Sequence, residues 1–448
     1  MLANLELEAT LLGALLIENS LLDAVVETVD PADFHTALHG RIFAAIAREV
    51  ALGNLANPIT IKGYFENDAD LKSVGGIGYL AQLYNETSGL TAPRKLAEQV
   101  RDLSQRRRMQ AGLADAATCC ADLTTPLADI VSQADDAMTV RGKEQIHQPT
   151  GAQCMEELIA SYGLNNKGVA SLRIPSIDGL LGPIKPKQLV IMAGRPGMGK
   201  TAVALSYGLG AAKAGHGVLF VSLEMSSTEL GARMAADLCF DEYRIPFSAI
   251  RDGTLQGRQR QDIGSVTASA RSLPFQVIDT GTLTVGRLGM MVRRHQRRME
   301  AAGHTLELVI VDYLQLLSPD TKGRSNYEAV SEVSRALKAI AKDCGVAIMA
   351  LAQLSRAVES RPDKRPQLSD LRDSGQIEQD ADAVLFLLRA EYYLKQAEPD
   401  EDSPHRGDWL ASMDEARNVI EFILAKRRNG VTGTALGEFH GAFQAVRG

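Results

Sequence analysis

One stretch constrains this chain more than any other. Leu189-Val190-Ile191-Met192-Ala193 is an unbroken apolar run, Gly194-Arg195-Pro196-Gly197-Met198-Gly199-Lys200-Thr201 follows directly, and residues 202–212 have helix-forming composition. The octet fits GxxxxGK[ST], and it sits in the strand, loop, helix order that pattern requires. The glycines let backbone N–H groups close around phosphate oxygens, and the helix N-terminus adds its positive end. Lys200 is placed to reach β- and γ-phosphates and the Thr201 hydroxyl to ligate Mg²⁺. The bland alternative is a glycine-rich turn without a ligand, which this order argues against. The stretch reads as a nucleoside triphosphate site.

Three further polar residues close apolar runs. Glu224 ends Val218-Leu219-Phe220-Val221-Ser222-Leu223, where a carboxylate can orient and deprotonate a water. Alone, such a glutamate is more often a solvated strand end. Asp312 ends Leu308-Val309-Ile310-Val311 and has the form of a carboxylate holding the water shell of Mg²⁺. Gln353 closes the run 347–352, where its amide is a candidate γ-phosphate sensor or simply a cap.

Around these residues the chain reads as α/β. Strands are expected at 188–193, 217–223, 275–279, 306–312, 346–351 and 383–388, with helices between the early ones and hairpins over 419–446. Residues 1–140 carry helical spacing and no strand signal, as in Leu11, Leu12, Leu15 and Leu16 or Ile42, Phe43 and Ile46. Between them lies a looser stretch with one short amphipathic segment, Met155 to Tyr162. The expected organisation is a helical domain over 1–145, a linker over 146–170, and an α/β ATPase domain with a mostly parallel sheet over 171–448.

Composition sets the remaining bounds. The 448 residues are 45% hydrophobic and 23% charged, as in a folded globular protein. No apolar run is long enough for a transmembrane helix, and Glu6 and Glu8 sit where a signal peptide has none. Five cysteines without metal-ligand spacing point to a reducing cytoplasm and no structural zinc. The net charge of −7 is uneven: residues 1–147 carry −8, and the segment 395–415 carries −5. The rest of the C-terminal part is therefore mildly basic, which permits local nucleic-acid binding. Two basic turns stand out, Arg361 to Arg365 ahead of Asp370-Leu371-Arg372-Asp373-Ser374-Gly375, and Lys426-Arg427-Arg428. Most basic turns are simply solvated, as is the arginine-rich face of the helix expected over 284–302.

Together these residues resemble the DnaB-type replicative DNA helicases. The phosphate loop, Ser222-Leu223-Glu224-Met225, Val311-Asp312-Tyr313-Leu314-Gln315, Ala352-Gln353-Leu354-Ser355-Arg356, the stretch from Ser369 through Asp382, and the turn at Lys426 occur in that family's order. Glu8-Ala9, Pro31-Ala32-Asp33-Phe34, His39 and the stretch 75–83 extend the resemblance to the N-terminal part. It implies a RecA-like motor in a homohexamer, topped by helical collar domains, that moves 5′ to 3′ on single-stranded DNA and unwinds forks. It implies ATP and Mg²⁺, with residues 194–201 binding nucleotide, Thr201 and Asp312 on the metal, Glu224 as base and Gln353 as sensor. Lys426 and Arg428 would reach a neighbouring subunit's nucleotide, and Arg372, Asp373, Ser374 and Gly375 would hold the DNA backbone. A primase and a helicase loader are implied partners, in a bacterial or phage-infected cytoplasm, with no membrane.

Asp373 stands where the family often has glutamate, and Arg427 where a neutral residue is common. The segment 395–415, with the single tryptophan Trp409, is longer than the family's connection and has no assigned role. Two other readings remain at this point: a RecA-type recombinase that forms filaments without processive unwinding, and an accessory ATPase or loader.

Overall fold

The expected strands form one sheet of nine. Its parallel part contains β1 (Leu189–Gly194), β2 (Gly217–Ser222) and β3 (Phe275–Asp279). A short β4 (Leu283–Thr284) then precedes β5 (Leu306–Asp312), and an equally short β6 (Leu317–Ser318) precedes β7 (Ala347–Gln353) and β8 (Ala383–Leu388). An antiparallel extension adds β9 (Val419–Arg427), β10 (Gly433–His440) and β11 (Ala445–Arg447). The order across the sheet is β11-β10-β9-β8-β1-β7-β5-β2-β3, with β4 and β6 paired separately. This computed structural model describes residues 2–86, 92–138, 150–161, 168–319, 326–371 and 375–448.

Strand bounds follow from burial and pairing. β3, β5 and β8 begin and end at the expected residues. β7 runs on to Gln353 because its pairing with β1 continues through Ala193↔Ala352 and Gly194↔Gln353. A parallel strand covered on both faces buries every side chain and is a continuous apolar run, as in β1 and β8, whereas β3 at the sheet edge is only partly buried. In β1, Val190 and Met192 join one core and Leu189, Ile191 and Ala193 the other. The helix Lys200–Lys213 covers the first face with Val203 and Tyr207. Helices Val285–Ala301 and Asn326–Cys344 cover the second with Leu288, Val292, Val333 and Leu337.

The chain divides into two compact units, Met1–Glu157 and Leu158–Gly448. In the first, no strand occurs among the described residues. Leu11, Leu12, Leu15 and Leu16 pack with Ile42, Phe43 and Ile46, as their spacing predicts. Glu8 is buried there and accepts from the His35 amide at 2.6 Å, and its other oxygen lies 2.7 Å from Nδ1 of His39. Nε2 of His39 meets the Tyr79 hydroxyl at 2.7 Å, so Glu8, His39 and Tyr79 satisfy one another in this core.

The expected linker helix is Gly151–Ser161. It begins before Met155 because Thr150 and Gln153 cap each other, with N–H to side-chain oxygen distances of 2.8 and 3.3 Å. Met155, Leu158 and Ile159 are exposed by 61%, 54% and 65%, and Tyr162 lies outside the described residues.

The C-terminal strand is fastened by an ion-pair cluster on the helix Ser227–Phe240. Arg173 holds Asp237 at 2.5 Å and Asp241 at 2.7 Å, and Arg447 holds the same carboxylates at 3.2 and 2.8 Å. Burial alone would raise the Asp241 carboxyl, but hydrogen bonds from Arg447 and Arg173 bring it down to about 2. A depressed carboxyl contributes stability above its unfolded value and loses it as pH falls through the folded one. Asp241→Asn should therefore cost about 1 kcal/mol at neutral pH, allowing for screening at a half-exposed group. The melting difference from wild type should close as pH falls from about 4 to 2. An unchanged difference over that window would assign the effect to packing.

Candidate functional site

The carboxyl ends of β1, β7, β5 and β2 converge on one cleft of about 630 Å³. Register places them there: Gly194 stands beside Gln353, and Asp312 beside Ser222, two residues before Glu224. Ligands of open parallel sheets bind at this edge, where loops leave the strands.

The phosphate loop needs glycine at two places. Gly197 and Gly199 have φ of +82° and +88°. A Cβ at either would lie 2.5 Å from a ring, that of Tyr392 or Phe439 respectively. Met198 anchors the loop from below by entering the core, and Pro196 lies on the cleft wall. Lys200 opens the next helix and folds back over the loop, with Nζ 3.0 Å from the Gly194 carbonyl and 3.4 Å from that of Arg195. Burial lowers its pKa, while Asp312 and Glu224 oppose that shift. An ammonium held by carbonyls in a half-dry cleft is poised to exchange them for phosphate oxygens.

The Thr201 hydroxyl donates to Oδ2 of Asp312 at 2.7 Å. Asp312 is 1% exposed, and burial pushes its carboxyl up to about 6, against the hydrogen bond from Thr201. Glu224 adds repulsion and Lys200 attraction. A buried carboxylate beside a hydroxyl, both aimed into a polar cleft, is a pair of hard oxygen donors suited to a divalent cation. Glu224 is exposed on the same wall. The Gln353 amide N–H donates to Gln315 at 3.3 Å and its carbonyl accepts from the Gln315 amide at 3.2 Å, which fixes the strand end.

Not every expected site residue meets there. The Arg195 side chain turns away from the cleft, toward Leu354 and Glu359. Lys426 and Arg428 lie at the opposite edge of the sheet, since β9 runs antiparallel to β8 and pairs Arg427 with Ala383. Lys426 donates to the carbonyls of Ala381, at 2.9 Å, and Glu378, and Arg428 pairs with Asp382 at 3.4 Å. Gly375 opens a short helix, and Arg372, Asp373 and Ser374 lie outside the described residues.

The cleft also contains residues that sequence reading missed. Arg389 donates to the Gly197 carbonyl at 3.3 Å and stacks 3.9 Å from the centroid of Phe439. Arg233 bridges Glu229, at 3.2 Å, and Gln444. Only Arg389 carried a readable signal, since it follows the buried strand β8 as Gln353 ends β7.

A mostly parallel sheet with a phosphate loop at its centre defines a RecA-like ATPase domain, here joined to a helical N-terminal unit. The family model of the DnaB-like helicase C-terminal domain matches residues 168–447, and that of the DnaB-like helicase N-terminal domain matches residues 1–102. The chain is 32% identical to the replicative DNA helicase DnaB of Rickettsia prowazekii, covering 96% of this chain and 91% of that one. The replicative DNA helicase DnaB of Geobacillus stearothermophilus is also 32% identical, with the same coverage. A solved DnaB-like replicative helicase, described with its interactions with primase, shares 27% identity at a TM-score of 0.67 over 99% of both chains. The chain belongs to the DnaB family of replicative DNA helicases, which are ATP-dependent enzymes. The RecA-type recombinase reading is not favoured by these matches.

The raised Asp312 carboxyl has a consequence for stability. Between about pH 4 and 6 the folded, ligand-free protein keeps a proton that the unfolded chain releases, so stability falls as pH rises through that window. In chelator without nucleotide, Asp312→Asn should be more stable than wild type at pH 8 by about 2 kcal/mol, with the gain vanishing near pH 4. A variant that melts earlier at pH 8 would contradict this.

Proposed function

We propose that the cleft hydrolyses ATP at the interface between neighbouring subunits of a hexameric ring, and that the ring moves 5′ to 3′ on single-stranded DNA. The convergence of Lys200, Thr201, Asp312, Glu224 and Gln353 on one cleft carries the chemical part of this reading. The loop amides of residues 194–199 and Lys200 bind and neutralise the β- and γ-phosphates. Thr201 and Asp312 would hold the magnesium ion that accompanies ATP, which would supply charge neutralisation on the phosphate oxygens. Glu224 takes a proton from the attacking water, whose oxygen bonds to the γ-phosphorus as the bond to the ADP oxygen breaks. Gln353 contacts the γ-phosphate and registers its loss.

The placement of Lys426 and Arg428 supports a site completed in trans, because both lie away from their own cleft. There they would approach the neighbour's γ-phosphate. Residues 372–375 would track the DNA backbone, whose phosphates give contacts without sequence readout. Residues 1–145 would form the collar and 146–170 the linker. The exposed stripe of Met155, Leu158 and Ile159 would dock on an adjacent subunit's motor domain. A primase and a loader would be partners, in the cytoplasm of a bacterium or of a phage's host.

The active-site assignment is tested by two variants. Lys200→Ala should lose nucleotide affinity and hydrolysis together, whereas Glu224→Gln should retain ATP binding and lose at least about 10²-fold in turnover. Nucleotide titration and phosphate release read both. Near-normal turnover in folded Lys200→Ala, or lost ATP affinity in Glu224→Gln, would contradict the roles.

A further inference from the structure

The arginine of the phosphate loop faces away from the phosphates. Arg195 is 8% exposed, and its guanidinium is spent on the segment that follows β7. Nη1 donates to the Leu354 carbonyl at 2.8 Å, and Nε donates to Oε1 of Glu359 at 2.8 Å. That segment is braced onward. Leu354 bridges to Leu371, and the Ser355 amide donates to the Asp370 carbonyl at 2.8 Å. The buried Asp370 carboxylate accepts from Arg361 at 2.6 Å and from the Gln367 amide at 2.7 Å. Hydrogen bonds therefore run from the phosphate loop through Leu354 and Ser355 to Asp370 and Leu371, while Glu359 belongs to the turn Arg356–Ser360, whose neighbour Arg361 holds Asp370. The next residues are 372–374.

We propose that Arg195 and Glu359 form a positioning pair that ties the nucleotide-dependent posture of the phosphate loop to the segment leading into the DNA-tracking loop. The inference rests on the reading of residues 372–375 as that loop. Two features make the pair a mechanical link rather than a second binding group. Arg195 is absent from the lining of the nucleotide cleft, but lines a separate cavity of about 650 Å³ whose wall includes Gln353, Leu354 and Ser355. Its two bonds also leave the arginine in different directions, one to backbone and one to a carboxylate, so it holds Leu354 and the turn Arg356–Ser360 at once. Gln353 touches both cavities, so the proposed γ-phosphate sensor and Arg195 act on adjacent residues of one strand end.

Glu359 is the residue to change, since it lies outside the nucleotide cleft. The measurement is the affinity of the full-length protein for fluorescein-labelled oligothymidylate with Mg²⁺ and either a non-hydrolysable ATP analogue or ADP. The ratio of the two dissociation constants is the coupling, which commonly lies between about 5- and 150-fold. Glu359→Ala should bring that ratio to within about twofold of one while leaving the KM for ATP and the DNA-free turnover within about twofold of wild type. Glu359→Gln keeps an oxygen acceptor for Arg195 and should keep most of the coupling. An unchanged ratio in Glu359→Ala would overturn the pairing's role. Equal loss in both variants, with a raised KM, would overturn it in favour of plain structural support. Absence of oligothymidylate binding by wild type would sink the DNA reading and the proposal with it, a wild-type ratio of one would sink the proposal alone, and coupling that survives Glu359→Ala leaves the DNA reading standing.

Discussion

The register of four parallel strands is the constraint on which the rest of this structure depends. Pairing of β1 with β7 sets Gly194 against Gln353, and pairing of β2 with β5 sets Ser222 against Asp312. Each strand contributes one polar or glycine residue to a common edge, and apart from the partly exposed Glu307 of β5 the strand bodies are apolar and buried on both faces. A slip of one residue would turn every core side chain to the opposite face and separate the cleft's partners. The cleft thus inherits its precision from the hydrophobic core. Loops alone would not hold Thr201 and Asp312 at hydrogen-bond distance across 111 residues of chain.

The electrostatics follow from that placement. Strand ends buried in a sheet leave Asp312 in a dry setting, so its charge is unfavourable until cations arrive. Lys200 meets the same burial with the opposite sign. The cleft therefore holds two charged groups that each lack full compensation within the protein, an arrangement suited to a phosphate chain with its cation.

Much of this was legible from residue order alone, for specific reasons. A parallel strand buried on both faces is a continuous apolar run, so β8 and most of β5 could be bounded directly, and the partly exposed edge strand β3 was marked by Phe275, Val277 and Ile278. The phosphate loop combines glycine, lysine and threonine at fixed spacing, which few other structures require. What escaped reading lies in side-chain direction and in contacts across the sheet. Arg195 sits inside the loop's signature, yet its guanidinium serves Leu354 and Glu359. Arg233 and Phe439 lack any local pattern, because their place in the cleft depends on a helix and an antiparallel extension far from the loop. The segment 395–415 read only as acidic. In the structure it runs into the helix Arg406–Ala416, pinned where the Trp409 indole donates to the Leu394 carbonyl at 2.8 Å.

ATP turnover in this cleft is expected to separate DNA strands with a defined direction. Unwinding of matched forked duplexes, one with a long 5′ arm and one with a long 3′ arm for loading, the other arm in each kept too short to load the ring, tests it most directly. With ATP and Mg²⁺ the account predicts strand separation from the 5′-tailed substrate, none from the 3′-tailed one, and none from either with Glu224→Gln. DNA-stimulated ATP hydrolysis without displacement of either strand would contradict it.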